Sequence, residues 1–341
     1  AGPHGHGGSG GGGSSGRGVG GRGGLDKEAL WDWRPSAPQL TKRLAQGRSG
    51  EELAEVFAAL RPRFDRVHLV TLLHRAASLA LRPAAGPTLW IRHAATELQE
   101  EAAAAASGGS RAPRSETVRP MAPREVANAL WALARLRLSD MTPLVELLCH
   151  CAGGQLQAAK PQELANMAWA VARLLHRDGA VHEGLAAACG ATVWRMESQH
   201  LANISWAFGT LGSSQHSWFS PLAEMLVHKQ PSLPPRHLVN TLWGFARVGL
   251  RHQPLFRQLG DKIADTDDLG AWTAQDLSGA AWAYASLEVV HGRLFRRLAR
   301  EVQACGRLGS FGPQELQNLA WAFAAAARAG LLGEDKGISR K

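Results

Sequence analysis

The chain has 341 residues, of which 45% are apolar, 38 are Lys or Arg and 29 are Asp or Glu, giving a formal charge of +9. This apolar content is enough for a packed core, and the mild positive excess neither requires nor excludes a nucleic-acid partner. No uninterrupted apolar run approaches the roughly 18 residues of a membrane span, and four cysteines exclude a scaffold built on disulfides.

Residues 1–24 are dominated by glycine and contain almost no side chain that a core could bury. We therefore expect a disordered glycine-rich tail, because such a segment cannot offset the entropy of ordering. A G-x-G-x-x-G match at Gly16, Gly18 and Gly21 lacks the strand before it and the helix after it that a dinucleotide site needs. The sequence predicts no cofactor.

Residues 25–105 have a helical pattern and are predicted to form a divergent N-terminal capping repeat. Within it, HLVTLLHRAASL (residues 68–79) aligns with the later repeats and has His74 where they have tryptophan. Residues 106–120 belong to a low-complexity stretch, predicted to be a loop.

The region from 121 to 330 is repetitive. Six of its tryptophans recur at spacings of 38, 37, 37, 39 and 39 residues, which is typical of a repeat array. The repeated segments are PREVANALWALARL (123–136), PQELANMAWAVARL (161–174), SQHLANISWAFGTL (198–211), PRHLVNTLWGFARV (235–248), AQDLSGAAWAYASL (274–287) and PQELQNLAWAFAAA (313–326).

Each segment has the pattern of a helix, and about 20 residues that resemble a second helix follow it. One such hairpin cannot bury its own apolar face, so stacking on its neighbours must supply the core. The sequence therefore predicts an all-α, right-handed α-solenoid of about seven helical hairpins with a period of 37–39 residues. Residues 331–341 are expected to be a C-terminal tail.

Two positions are nearly invariant among the repeats. We expect the tryptophans to be buried, since Ala and Leu flank them at helical spacing, although exposed rings would form a platform for bases. The amide three residues before each tryptophan, replaced by Gly279 in the fifth repeat, is expected to form a hydrogen-bonded ladder between repeats rather than contact RNA. These structural positions are Trp131, Trp169, Trp206, Trp243, Trp282 and Trp321, and Asn128, Asn166, Asn203, Asn240 and Asn318.

Two other positions are polar and vary between repeats. Stacked repeats align each position into a stripe, which suits a modular RNA reader and equally suits a solvated helix face. The first-turn candidates are Arg124, Gln162, Gln199, Arg236, Gln275 and Gln314. The candidates four residues after the tryptophan are Arg135, Arg173, Thr210 and Arg247, with Ser286 and Ala325 in the last two repeats.

A basic cluster lies on one predicted second helix and comprises Arg293, Arg296, Arg297 and Arg300. Arginines four residues apart repel each other, so this cluster favours a polyanionic partner slightly over a plain surface. We include it among the candidate RNA contacts.

No residues indicate catalysis or metal binding. Cys149, His150 and Cys151 are adjacent on a predicted helix and so point in different directions, unlike the spaced pairs of structural zinc sites. No nucleotide-binding loop, nucleophile elbow or paired carboxylate motif is present. We expect a protein that is not an enzyme and holds no metal.

The run PQELANMAWAVARL at this period resembles the octotricopeptide repeat of organellar RNA-binding proteins. The segment beginning LTKRLAQGRSGEELAEVFAAL is similar to the start of FAST-kinase-like leucine-rich and RAP-domain proteins. The resemblance covers roughly residues 37–330 and implies binding of single-stranded organellar RNA in processing, stability or translation. The RAP domain that ends many of those proteins is not recognisable here, which argues against catalysis.

The resemblance implies a nucleus-encoded protein that acts in the mitochondrial matrix or the chloroplast stroma. A different class remains open, namely a protein-interaction scaffold or a structural subunit of an organellar ribosome or other ribonucleoprotein. Armadillo-type solenoids also use a repeated Asn and Trp to clasp peptides. Convergence of the Arg and Gln stripes on one positive groove would favour RNA, whereas scattered stripes would favour the scaffold.

Overall fold

The computed structural model describes residues 30, 33–83, 88–106, 120–212, 216–229, 233–304 and 306–330. The chain divides into two compact units, Ala1–Arg34 and Pro35–Lys341. Only three residues of the first unit are described, so the architecture below is that of the second. The expected tails at 1–24 and 331–341, and most of the expected loop at 106–120, lie outside the described residues.

The described part of the second unit contains fifteen α-helices and no strand. In chain order they are α1 (Ala37–Gln46), α2 (Gly50–Leu60), α3 (Arg66–Ser78), α4 (Leu89–Ala106), α5 (Pro123–Leu136), α6 (Thr142–Gly153), α7 (Pro161–Arg173), α8 (Gly179–Thr192), α9 (Ser198–Leu211), α10 (His216–Lys229), α11 (Pro235–Arg247), α12 (Gln253–Ala264), α13 (Ala274–Ser286), α14 (Gly292–Gln303) and α15 (Pro313–Arg328). Short 3-10 turns occupy Arg61–Arg63, Leu156–Ala158, Val193–Arg195 and Arg307–Ser310.

The helices form two layers. Each odd-numbered helix packs against the next odd-numbered helix, from α1 through to α15. The even-numbered helices α4 to α14 pack against one another in the same order. Seven successive helix pairs, α1–α2 to α13–α14, therefore stack in chain order and α15 follows them. The predicted α-solenoid is confirmed, while its handedness stays a prediction.

The residues of the first turn explain where two of the odd helices begin. Pro123 and Pro161 each occupy the first helical position, where the backbone N–H that proline lacks would have no partner in the helix. Two residues later, Glu125 accepts a hydrogen bond from the Ala122 backbone N–H at 2.8 Å, and Glu163 does the same for Lys160. These hydrogen bonds help to fix where the two helices begin.

Small residues after the tryptophans bring neighbouring odd helices into backbone contact. A Cβ atom added at Gly209 would lie 3.0 Å from Cα of Gly244, and one added at Gly244 would overlap the backbone carbonyl of Ser205. The backbones of α9 and α11 therefore touch at this point, and no larger side chain fits between them.

Gly244→Ala is expected to lower the free energy of unfolding by about 1–3 kcal/mol, because the added methyl group forces the two backbones apart. Gly153→Ala, in α6, is the control, since nothing lies within 4 Å of a Cβ atom at that position. Urea unfolding followed by circular dichroism measures both. Equal stability of the two variants would contradict the close packing of α9 and α11.

Candidate nucleic-acid interface

The repeat tryptophans form a row along the odd layer. Ring centroids are 6.4 Å apart for Trp206 and Trp243, and 6.5 Å apart for both Trp243–Trp282 and Trp282–Trp321. At the other end of the array the His74 ring lies 4.8 Å from the ring of Trp131. This contact places His74 in the tryptophan position of α3, as the alignment predicts. Equivalent side chains of successive repeats therefore stand side by side.

The expectation that these tryptophans are buried is wrong. Trp131, Trp169, Trp206, Trp243 and Trp282 are half-buried, and Trp321 is 43% exposed.

The error concerns which face of the helix the tryptophan occupies. Leu201 and Phe208 are seven residues apart, so they point the same way, and both are fully buried. Trp206 lies roughly 150° around the helix from both, at about 100° per residue. The ring therefore packs against its neighbours in the row and keeps one edge at the surface.

Four repeat positions share the face that carries the tryptophans. The first-turn residue, the Asn, the Trp and the residue four after it are spaced by four, three and four residues, which forms one stripe along a helix. In α11 these are Arg236, Asn240, Trp243 and Arg247. All six first-turn candidates are exposed, as are Arg135, Arg173 and Arg247, whereas Thr210, Ser286 and Ala325 are half-buried. The predicted reading stripes and the predicted structural ladder thus lie on one surface.

This surface is concave and forms one groove. A cavity of about 850 Å³ is lined by side chains from the odd layer between α3 and α13, among them Arg173, Gln199, Asn203 and Trp206. A recess of about 260 Å³ shares Trp206, Arg236, Asn240 and Gln275 with that cavity and extends to α15. We call these two adjoining cavities together the groove.

The charge is uneven along the groove. Among the described residues, five arginines and no carboxylate line the larger cavity; the arginines are Arg82, Arg135, Arg137, Arg173 and Arg236. In the recess Arg236 is accompanied by Asp276 and Glu315. The larger cavity is therefore suited to an anionic ligand, whereas the recess is not.

Arginine side chains also cover two of the tryptophans. The guanidinium carbon of Arg135 lies 5.7 Å from the Trp131 ring centroid, and that of Arg247 lies 5.7 Å from the ring of Trp243. A cation over an aromatic face is stabilised by about 0.5–1 kcal/mol at exposed sites. Of the two arginines, Arg135 lines the larger cavity. The Trp131 ring restrains this side chain, so it gives up less freedom when a ligand binds.

The predicted ladder of asparagine hydrogen bonds is not formed. Within the described part of the chain, the side chains of Asn128, Asn166, Asn203, Asn240 and Asn318 make no hydrogen bond, and all five are half-buried. An amide offers two N–H donors and one carbonyl acceptor. Because these side chains lie on the stripe that faces the groove, their hydrogen-bonding groups are available to a ligand.

In the fifth repeat a glycine replaces this asparagine for a packing reason. A Cβ atom added at Gly279 would lie 2.8 Å from Cγ1 of Val239, on the neighbouring helix α11. The position therefore has no room for a side chain unless Val239 moves.

The basic cluster of α14 lies outside the groove. Neither cavity is lined by Arg293, Arg296, Arg297 or Arg300. Arg293 forms ion pairs with Asp265 and with Asp261 of the preceding even helix, and Arg297 forms one with Glu301 at 3.1 Å. The mutual repulsion expected from the sequence is relieved by these carboxylates, so Arg293 and Arg297 stabilise the fold.

Sequence reasoning missed Arg82, Arg137 and His237 in the larger cavity, and Asp276 and Glu315 in the recess. Arg137 follows the last residue of α5 in a left-handed conformation, with φ of 60°, and Arg82 lies beyond the end of α3. Both lie outside the repeated motif, so no repeat position marks them. His237 directly follows a predicted candidate, Arg236, and its Nδ1 lies 3.2 Å from Oγ of Ser198.

The described cysteines are not placed for chemistry. Burial, with smaller contributions from Asp178 and Glu146, raises the pKa of the Cys149 thiol to about 12. Burial also raises the pKa of Cys189 far above its ordinary range. No group of three or more potential metal ligands occurs among the described residues, and none of the described helices is long and apolar enough to cross a membrane.

Two groove-side histidines are expected to be neutral at pH 7. Burial lowers the pKa of His74, and the charges of Arg124 and Arg75 lower it further; burial and Arg236 do the same for His237. In an NMR titration both rings should change charge below the ordinary midpoint of about pH 6.5. The unfolded chain then binds protons at higher pH than the folded one, so these residues reduce stability as pH falls through 6.5.

His68 is the internal control for this titration. Burial lowers its pKa, but hydrogen bonds to Asp65 and to the Ala37 carbonyl, together with the Asp65 charge, outweigh burial and raise it. His68 should therefore titrate above about pH 6.5, and the variants His74→Gln and His237→Gln assign the other signals. Midpoints for His74 and His237 at or above that of His68 would contradict the described environments.

Most of the helices that form the groove lie in a region whose sequence matches a known protein family. The family model described as RNA-editing substrate-binding complex 6 protein matches residues 124–327, about three-fifths of the chain, from the first turn of α5 to the end of α15. No curated protein matches the sequence. The match supports the broader expectation of an RNA-associated helical protein, while the finer resemblance to octotricopeptide repeats stays a prediction. The chain belongs to the RNA-editing substrate-binding complex 6 protein family.

Proposed function

We propose that the groove binds single-stranded RNA and that the chain acts as the RNA-holding subunit of a ribonucleoprotein complex. The observation that carries this proposal is the convergence of four repeat positions on one surface. In the part of the chain that the structure describes, the larger cavity of this surface has five arginines and no carboxylate. A strip of positive charge with interleaved aromatic and amide groups is the usual footprint of a single-strand binder.

The groups in the groove divide between backbone and bases. Arg135, Arg137, Arg173 and Arg236 supply charge for phosphates, which give affinity without reading sequence. The unpaired amides of Asn203 and Asn240, with the first-turn glutamines, supply donors and acceptors for base edges. Such edges are exposed in single strands, whereas side chains cannot reach them in the deep major groove of an RNA helix.

The family match supports the same kind of ligand. The family's description names a complex that binds the substrate of RNA editing, and the matched residues 124–327 include most of the groove. We extend this to the chain as a proposal, in which it takes part in RNA editing or a related step of processing, stability or translation. An organellar location, mitochondrial or chloroplast, and a role in binding rather than catalysis belong to the same proposal.

A role in contacts with other proteins has separate support. Leu175 is 60% exposed and Trp194 is 46% exposed, and neither lines the groove. Large apolar side chains at the surface are typical of protein contact sites when they cluster. The scaffold alternative, including a ribosomal subunit, is thus compatible with RNA in the groove, because the two would use different surfaces.

Arg173→Ala/Arg236→Ala is expected to weaken the binding of a single-stranded RNA at least about tenfold, because hydrogen bonds to charged groups are worth roughly 1.5–3 kcal/mol each. The slope of log K against log salt should fall by about 0.7 for each phosphate that the variant no longer neutralises. Fluorescence anisotropy with a labelled 12-nucleotide RNA measures both.

The matched control is Arg177→Ala/Arg195→Ala, which removes the same charge from exposed residues outside the groove. It should bind nearly as well as the unaltered chain. An equal loss of affinity in both double variants would show that net charge rather than the groove determines binding.

Asn203→Ala/Asn240→Ala separates the two interpretations of the asparagines. Because these amides make no hydrogen bond within the described protein, the free energy of unfolding should change by no more than about 0.5 kcal/mol per site. RNA affinity should nevertheless fall. Loss of stability with unchanged RNA affinity would instead support the structural-ladder interpretation. Urea unfolding and fluorescence anisotropy on the same samples measure the two quantities.

A further inference from the structure

The one break in the asparagine row creates the recess of the groove. Gly279 stands where the other repeats have Asn, and the cavity of about 260 Å³ lies against it. Asn240 and Asn318, from the repeats on either side, also line this recess, as does Trp243. A missing side chain in one repeat is thus flanked by the amides that the neighbouring repeats retain.

The break is matched by a second change on the neighbouring helix. Val239, whose Cγ1 would lie 2.8 Å from a Cβ atom at Gly279, occupies the position four before the tryptophan. The three preceding repeats have Ala127, Ala165 and Ala202 there, and each is followed by a repeat with Asn. A valine and a glycine therefore stand at this contact where the preceding repeats have an alanine and an asparagine. The larger residue on one helix faces the smaller residue on the next, so the two changes are complementary.

The recess also contains a carboxylate without a partner. Glu315 makes no hydrogen bond or ion pair within the described residues, and no side chain caps the start of α15. Its counterparts Glu125 and Glu163 both accept hydrogen bonds from the backbone at the start of their helices. The nearby Asp276 is buried and already accepts from Thr273. Glu315 is therefore the free acceptor of the recess.

We propose that this recess holds one unpaired base of the RNA and prefers a base with an exocyclic amino group, as in cytosine, adenine and guanine, over uracil. The inference rests on RNA binding by the groove. A carboxylate repels phosphate, so a base edge rather than the backbone enters. Carboxylates accept from the cytosine amino group and amides pair with adenine. Uracil has no amino group and presents a single N–H between two carbonyl oxygens, which a carboxylate repels.

The size and walls of the recess suit this ligand. Its volume is below the roughly 300–1,000 Å³ of pockets that enclose drug-sized ligands. Trp243 contributes an aromatic ring to its walls, and Asn240 and Asn318 contribute amide groups. Arg236 lines both cavities and can hold the adjacent phosphate, which links the base in the recess to the backbone in the larger cavity.

The test compares three labelled 12-nucleotide RNAs, oligo(U), oligo(C) and oligo(A), by fluorescence anisotropy. Homopolymers are used because every register offers the same base. The unaltered chain should bind oligo(C) and oligo(A) at least about fivefold more tightly than oligo(U), the lower end of the discrimination that one good base contact provides. Glu315→Gln should reduce that ratio at least twofold, because it removes the acceptor charge.

Val239→Ala/Gly279→Asn fills the recess with the residue pair of the preceding repeats and is the second variant. It should bind the three RNAs equally, with an affinity near that of the unaltered chain for oligo(U). Equal binding of all three by the unaltered chain, or a base preference kept by both variants, would overturn the assignment of the recess. Failure of the unaltered chain to bind any of the three would instead overturn RNA binding by the groove.

Discussion

Backbone contact between successive odd helices is the constraint on which the groove depends. Gly209 and Gly244 allow α9 and α11 to approach until an added methyl group would overlap the Ser205 carbonyl. Helices that touch in this way cannot slide past each other, so equivalent residues of neighbouring repeats stand level. The rings of Trp206 and Trp243 consequently lie 6.4 Å apart. A repeated stripe on each helix thereby becomes a continuous surface.

The positions of the charged side chains, rather than the net charge, decide where an anionic ligand can bind. The formal charge of +9 is modest for 341 residues. On α14, Arg293 and Arg297 are compensated by carboxylates. The described lining of the larger cavity has five arginines and no carboxylate. Positive charge is thus concentrated at one end of the groove, while Asp276 and Glu315 lie at the other.

Departures from the repeat carry more functional information than the repeat itself. The Asn and Trp positions recur almost unchanged on the groove face and give that part of the lining a uniform character. The exchange of Ala and Asn for Val239 and Gly279 interrupts that lining at one point and keeps the helices packed. Selectivity can therefore arise at one repeat without loss of the stack.

The sequence alone determined the period, the starts of the repeated helices and the small residues between them, because these are local properties or follow from the repeat. It also identified the residues of the groove stripe, including Arg173, Arg236 and Asn240. The tertiary structure decided which helix face meets a neighbour, so only it showed that the tryptophans are half-exposed and that the asparagines have no partner. It likewise decided which arginines are paired, since Arg293 and Asp265 are 28 residues apart and meet only through packing.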